Sequence, residues 1–588
     1  MKLGAIYTNK KTIFKVISTA DKVVLKDYTN SKEYEMKKQL NGIHVLTLEG
    51  NLNGMQYNYL AYFNNDVQEA VDPYANAVSV NGKRSVVVNL KRTNPRNFKR
   101  MTSFENPLDA VIYELHVRDY TIDENLKSKY KGKFLALVEP KNLKYLKSLG
   151  ITHLQLLPIF DYSENSVDET NILEKYNWGY DPVNYNAVEG SYSTDPYNPE
   201  NRIIELKKTI KKLHDNNIRV IMDVVYNHVF DVKSHSFEKL NPDYFFRKDK
   251  ENKYYSNGTG CGNDVASEKY WVRKYIVDSV VYWAKEYKLD GFRFDLMGIL
   301  DVKTMNEIRK ELDKIDKSII ILGEGWDLDT NLADDKKAKQ QNAVKMPRIA
   351  FFSDDIRDSV KGSTFNEVGK GFVSGTRKED KRLIPAIKGG QGLHSYISPS
   401  QVIQYVEAHD NYTMFDHFQK LNVNNIRRRH LLASSIILTS QGIPFIHAGQ
   451  EFCRTKKGDE NSYKSDDSIN KFDWTLAKKN KRMVKYISDL ISIRKDEKLF
   501  KMDTYDEINK NFKLIEYKNN LLVYSLGLDD KYIIIANAST KKHKVEFNGE
   551  YSVIINNYKR IYNTKVKDSF DVTALNFVIL KKERANLW

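Results

Sequence analysis

Gly291-Phe292-Arg293-Phe294-Asp295 is a short apolar run closed by a carboxylate, and reading it as a strand decides the fold. Seven further runs of the same kind lie around it: Val111–Leu115, His153–Leu157, Val220–Val224, Ile319–Leu322, Ile349–Phe352, Ile403–Val406 and Phe445–His447. Most are followed, after a loop, by a stretch of helical periodicity, such as Asn201–His214, Lys303–Lys314 and Ile426–Thr439. Apolar strands alternating with helices indicate parallel βα units, and eight of them close a (β/α)8 barrel. The competing doubly wound sheet carries a Gly-rich phosphate turn directly after a strand. The nearest candidate, Gly258–Gly262, has the wrong spacing and lies in a long polar loop.

The barrel accounts for the middle of the chain, residues 105–498. Before it, short alternating runs such as Thr12–Ile17 and Ser85–Leu90 predict an N-terminal β-sandwich over residues 1–104. After it, Leu521–Ser525 and Tyr532–Asn537 predict a C-terminal β-sandwich over residues 499–588. A chain of 588 residues, 41% hydrophobic and 29% charged, suits several cores and excludes wholesale disorder.

Other classes are set aside on composition. The excess of 93 Lys+Arg over 77 Asp+Glu gives a net charge of +16. It is spread thinly, with one short run at Arg427–Arg429, and predicts a lysine-rich solvated surface rather than a nucleic-acid partner. The apolar tract Leu431–Gly449 is broken by serines, Gln441, Gly442 and Pro444, so it reads as a helix stop followed by a buried strand, not a membrane span. Two widely separated cysteines, Cys261 and Cys453, and an N-terminus without an apolar signal core lead us to expect a cytoplasmic protein.

In a barrel the chemistry sits at the C-terminal ends of the strands. Strand three runs Asp223-Val224-Val225-Tyr226-Asn227-His228, strand four ends at Asp295, strand five at Gly323-Glu324-Gly325-Trp326, and strand seven at Glu407-Ala408-His409-Asp410-Asn411. Three carboxylates from strands four, five and seven would meet in one mouth beside Arg293, placed to keep Asp295 ionised. Such crowding is costly unless the groups are paired or used. Glycoside hydrolysis uses it, with one carboxylate as nucleophile and one held protonated as acid. No HExxH or close ligand spacing indicates catalytic zinc.

These four segments, in this order, resemble the short regions shared by the α-amylase superfamily, glycoside hydrolase family 13. Tyr176-Asn177-Trp178-Gly179-Tyr180-Asp181-Pro182 resembles the signature of the type I pullulanases, and the loops Asn257–Ser267 and Gly458–Tyr463 are similar to loops of that group. The resemblance implies Asp295 as nucleophile, Glu324 as general acid/base and Asp410 as transition-state stabiliser. It further implies sugar contacts from Asp223, His228, Arg293 and His409, an aromatic platform at Tyr180, and neighbouring subsites at Trp326, Asn461 and Tyr463. The activity implied is retaining hydrolysis of α-1,6 linkages in α-glucans such as pullulan, glycogen, amylopectin and limit dextrins. Its rivals are an α-1,4-acting neopullulanase or amylase, a branching transferase, and a non-catalytic glucan-binding relative. The resemblance implies no required cofactor and leaves room for a structural calcium, Asn227 matching a position that ligates calcium in many α-amylases. The chain departs from the pattern at Ser465-Asp466-Asp467, where an Asp replaces an expected proline.

Overall fold

The protein is described from a computed structural model that covers residues 1–64, 66–365, 367–376 and 378–583. Eight parallel strands form a closed barrel: β1 (Ile112–Leu115), β2 (His153–Leu156), β3 (Arg219–Val224), β4 (Gly291–Phe294), β5 (Ile320–Gly323), β6 (Ala350–Phe352), β7 (Val402–Gln404) and β8 (Ile443–His447). The last strand pairs back onto the first, Ile112 beside Phe445 and Glu114 beside His447. All eight coincide with the apolar runs read from the sequence. Alternation along the strands divides their side chains between two cores. Ile112, Ile221, Leu322, Phe352, Ile403 and Phe445 fill one buried cluster, whereas Tyr113, Leu154, Val220, Phe292 and Ile321 join the larger core that includes the helices.

The helix Pro199–His214 shows how the outer layer is specified. Asn198 caps it by accepting from the Glu200 N–H, Pro199 sits in its first turn, and Ile203, Leu206, Ile210 and Leu213 form its buried stripe. The helix Ile426–Thr439 ends before Gly442, whose φ of 110° turns the chain into β8. Among the described residues no helix is long and apolar enough to cross a membrane. Two arginines of the basic run serve the fold: Arg428 Nε donates to the Leu575 carbonyl at 3.0 Å and Arg429 Nη1 to the Val373 carbonyl at 2.5 Å.

The N-terminal region is a sandwich of a four-stranded and a five-stranded antiparallel sheet. Phe14 and Val16 of one sheet share a core with Val23, Leu25, Tyr57 and Tyr59 of the other. The expected strand Ser85–Leu90 is shorter than its sequence suggests, since only Ser85–Val86 pair as a strand. Val87 faces the sandwich core while Val86 and Val88 enter the main core, so the run bridges two cores instead of extending a sheet. The C-terminal β-region is one continuous seven-stranded antiparallel sheet. Its long strand His543–Asn556 carries register shifts that bend it around a core of Val523, Ile533, Val545, Val553 and Leu580.

Candidate active site

Arg293 is the hub of the barrel mouth. It points from β4, where it lies in register with Asp223 of β3, and its side chain is 2% exposed. Nη1 lies 3.0 Å from Asp223 Oδ1 and 3.0 Å from Asp295 Oδ1, and Nη2 lies 2.7 Å from Glu324 Oε1. One guanidinium therefore holds three carboxylates from three adjacent strands. Only a delocalised cation with several fixed donors does this, and lysine has no equivalent.

Asp295 directly follows β4. Its second oxygen, Oδ2, accepts from Asn227 Nδ2 at 2.8 Å, and the same amide donates to the Asp295 carbonyl at 2.7 Å. Both carboxylate oxygens are thus fixed, one by Arg293 and one by Asn227. Glu324 directly follows β5, and its Oε2 accepts from the Leu296 N–H at 2.9 Å. Leu296 has φ of 37°, a left-handed conformation that costs a branched residue energy and aims this N–H at the acid. The two loops approach so closely that a Cβ on Gly298 would lie 2.0 Å from the Trp326 carbonyl oxygen, which restricts that position to glycine.

The electrostatics separate the carboxyl groups. Burial raises Glu324 to about 7; Arg293 opposes the shift, and the charges of Asp295 and Asp410 add to it. Burial likewise raises Asp223 to about 7 against the pull of Arg293, while its Oδ2 accepts from Tyr180 Oη at 2.7 Å. Asp410 stands at the rim, with 49% of its side chain exposed and Oδ1 3.6 Å from His409 Nε2. His409 is buried, which disfavours its charge, yet Asp410 and Glu114 outweigh burial and raise it to about 9. It is an imidazolium at neutral pH.

The remaining residues read from the sequence divide into those at the mouth and those beside it. Tyr180 stacks on His409 at 5.1 Å with an interplanar angle of 13°, and Gly179 before it has φ of 98°. His228 has protein partners at both ring nitrogens, Asn227 Oδ1 at 2.5 Å and the Tyr180 carbonyl at 2.9 Å, so a sugar hydroxyl must compete with one of them. Trp326 and Asn461 line a cavity of about 440 Å³ together with Arg293, Glu324 and Asp410. Tyr463 does not line it. It packs on Trp178 at 6.4 Å and borders an adjacent, larger cavity with Tyr176 and Asp181. The unexpected acid of the Ser465–Asp467 segment has a local role: Asp466 caps the turn Asp467–Asn470 by accepting from the Ser468 N–H.

Three residues escaped the sequence reading. Glu114, on β1, accepts from the His409 backbone N–H at 2.8 Å and meets its Nδ1 at 2.9 Å. A charged residue in the apolar run Val111–Leu115 was the available signal. Arg357, on the helix Asp354–Val360 after β6, and Lys361, directly after that helix, also line the cavity, and nothing in their spacing marks them. As for metal ligands, the buried trio Asp161, Glu169 and Glu189 surrounds Arg202, whose guanidinium already grips Glu169 at 2.7 and 2.8 Å. The side chain of Asn227 is engaged by Asp295 and His228.

Known proteins resemble this chain over most of its length. The model of the alpha amylase catalytic domain matches residues 139–271. Pullulanase of Bacillus subtilis (strain 168) is 43% identical, the alignment spanning 89% of this chain and 75% of that protein. The crystal structure of an Anoxybacillus sp. LM18-11 pullulanase complexed with maltotetraose superposes with a TM-score of 0.94 at 42% identity, covering 99% of this chain and 87% of the other. The Paenibacillus barengoltzii pullulanase complexed with maltohexaose and alpha-cyclodextrin superposes at 0.95 and 41% identity, covering 99% and 95%.

Proposed function

The chain belongs to the type I pullulanases of glycoside hydrolase family 13 and is a debranching α-1,6-glucan hydrolase; from that premise we propose that Asp295, Glu324 and Asp410 carry a retaining double displacement at branch points of pullulan, glycogen, amylopectin and limit dextrins. The observation that carries the mechanism is the single guanidinium of Arg293 spanning Asp295 and Glu324. Binding both carboxyls to one group favours the short separation of retaining enzymes, about 5–5.5 Å, over the about 6.5–9.5 Å by which inverting enzymes admit a water.

In the first step Asp295 Oδ attacks the anomeric carbon as the glycosidic C–O bond breaks, and the Glu324 proton passes to the departing oxygen. In the second, water attacks the glycosyl ester, Glu324 takes its proton, and Asp295 leaves as carboxylate. The elevated proton affinity of Glu324 suits both roles. Asp410 supplies negative charge near the developing oxocarbenium ion, and Tyr180, held by its hydrogen bond to Asp223, offers a ring to an apolar sugar face.

We also propose a cytoplasmic location, supported by the two free cysteines, one of them exposed. The division into units 1–104, 105–498 and 499–588 is supported by where the separate sheets begin and end, and the N-terminal sandwich is proposed as a starch-binding-type module. A structural calcium at Asn227 would have to bind its Oδ1, which already faces His228 Nδ1 at 2.5 Å, so we expect none at that residue. Chromatography of pullulan digests tests the linkage reading. Maltotriose is the expected product; panose or isopanose would instead show α-1,4 cleavage.

A further inference from the structure

The catalytic cavity has two sides. Asp295, Tyr180 and His228 lie on the side where the retained sugar must sit, because that sugar becomes bonded to Asp295. The cavity of about 440 Å³ is lined by Arg293 and Asp410 and, on the side of Glu324, by Trp326 and the end of the helix Asp354–Val360, where the Arg357 guanidinium lies 6.0 Å from the Trp326 ring. Glu324 protonates the departing oxygen, so this side holds the glucosyl unit that leaves.

Lys361 lines this part of the cavity and is 2% exposed. Among the described residues its Nζ makes no hydrogen bond and no ion pair. That is unlike the other buried lysines of the site region: Lys456 Nζ donates to the His409 carbonyl at 3.0 Å, and Lys339 Nζ to Asp327 at 2.8 Å. Burying an ammonium without a partner is costly. Its charged neighbours are Arg357 and Asp358 on the preceding helix, Glu407 after β7 and His417 on the helix Met414–Lys420. Arg357 is itself occupied, with Nη1 on Tyr405 Oη at 3.0 Å and Nε on Asp358 at 2.7 Å. Burial and the adjacent Arg357 lower the proton affinity of Lys361, and Glu407 and Asp358 oppose the shift.

We propose that Lys361 is a substrate-binding residue of the leaving side, donating from its Nζ to a hydroxyl of the departing glucosyl unit seated against Trp326. This rests on the proposed assignment of Asp295 and Glu324. The substrate oxygen supplies a partner that Nζ does not find among the described residues, and the chain thereby distinguishes substrates with a sugar on that side from those without one.

The test compares pullulan with α-maltotriosyl fluoride, which occupies only the retained side because its leaving group is fluoride. Lys361→Met is expected to lose about 10- to 100-fold in kcat/KM on pullulan, the range for a hydrogen bond from a charged donor, mainly through KM. On the fluoride it should stay within about twofold of wild type. Lys361→Arg should recover most of the loss on pullulan, and thermal unfolding checks that each variant is folded; Lys361→Gln takes the place of the Met variant if that one is not. Equal losses on both substrates, or an unchanged rate on pullulan, would overturn the proposal. A wild-type protein that releases no maltotriose from pullulan would instead overturn the proposed function.

Discussion

Glu114 holds His409 at two points, its Oε2 accepting the backbone N–H at 2.8 Å and its Oε1 facing Nδ1 at 2.9 Å. Burial opposes charge on Glu114, but His409 above all, with Arg293, outweighs it and brings Glu114 down to about 2. The pair is therefore carboxylate and imidazolium at neutral pH. Glu114→Gln is expected to lower the pKa of His409 and to reduce kcat by about 10-fold, through the loosened His409–Asp410 segment. An NMR titration of His409 checks the first expectation; an unmoved His409 would show that Glu114 is not its anchor.

Glu324 must be protonated for the first step, and burial has raised it to about 7. The acid form is lost as pH rises, so kcat/KM should fall above about pH 7 with unit slope. The charge of Asp410 contributes to that elevation. In Asp410→Asn the residual activity should therefore show its alkaline limb at lower pH than wild type. A limb displaced upward would contradict the assignment of Glu324 as the titrating acid.

Acid assistance matters in proportion to how badly the leaving group departs. In kcat/KM, which reports the first step, Glu324→Gln should lose about 10²- to 10⁴-fold on natural glucans and much less on an activated glycosyl fluoride. Matched losses on the two would remove Glu324 from the acid role.

Asn227 fixes the Asp295 oxygen that Arg293 does not hold. Asn227→Ala is expected to lower kcat on pullulan by about 10- to 100-fold with KM little changed, as for loss of a group that orients a nucleophile. Chelation of divalent ions should leave wild-type activity unchanged if Asn227 serves Asp295 and not calcium. Loss of activity in a chelator, restored by calcium, would reverse that conclusion.

The barrel was legible because its strands are short, apolar and buried on both faces, so each appears as a compact run and all eight were found. Asp295 and Glu324 were legible because each directly follows an apolar strand at the end where a barrel has its mouth, and Asp410 because it lies in the loop after β7. Long-range partnerships were not. Asn227 reaches Asp295 across 68 positions and Glu114 reaches His409 across 295, and no local pattern encodes a pairing at such separations. Tyr463 shows the converse limit: it belongs to a motif at the mouth, yet its ring packs on Trp178 and borders the next cavity. The run at Ser85–Leu90 misled for a different reason, since period-2 alternation records which faces are buried and not whether a neighbouring strand is present.

The central claim is that Asp295 forms the glycosyl ester. Glu324→Gln incubated with α-maltotriosyl fluoride tests it directly, because fluoride departs without an acid whereas the second step lacks its base. Mass spectrometry of the quenched protein should show a maltotriosyl adduct on the peptide that carries Asp295 and none in Asp295→Asn/Glu324→Gln. An adduct on any other carboxylate, or steady turnover with the β-anomer as the first product, would contradict the account.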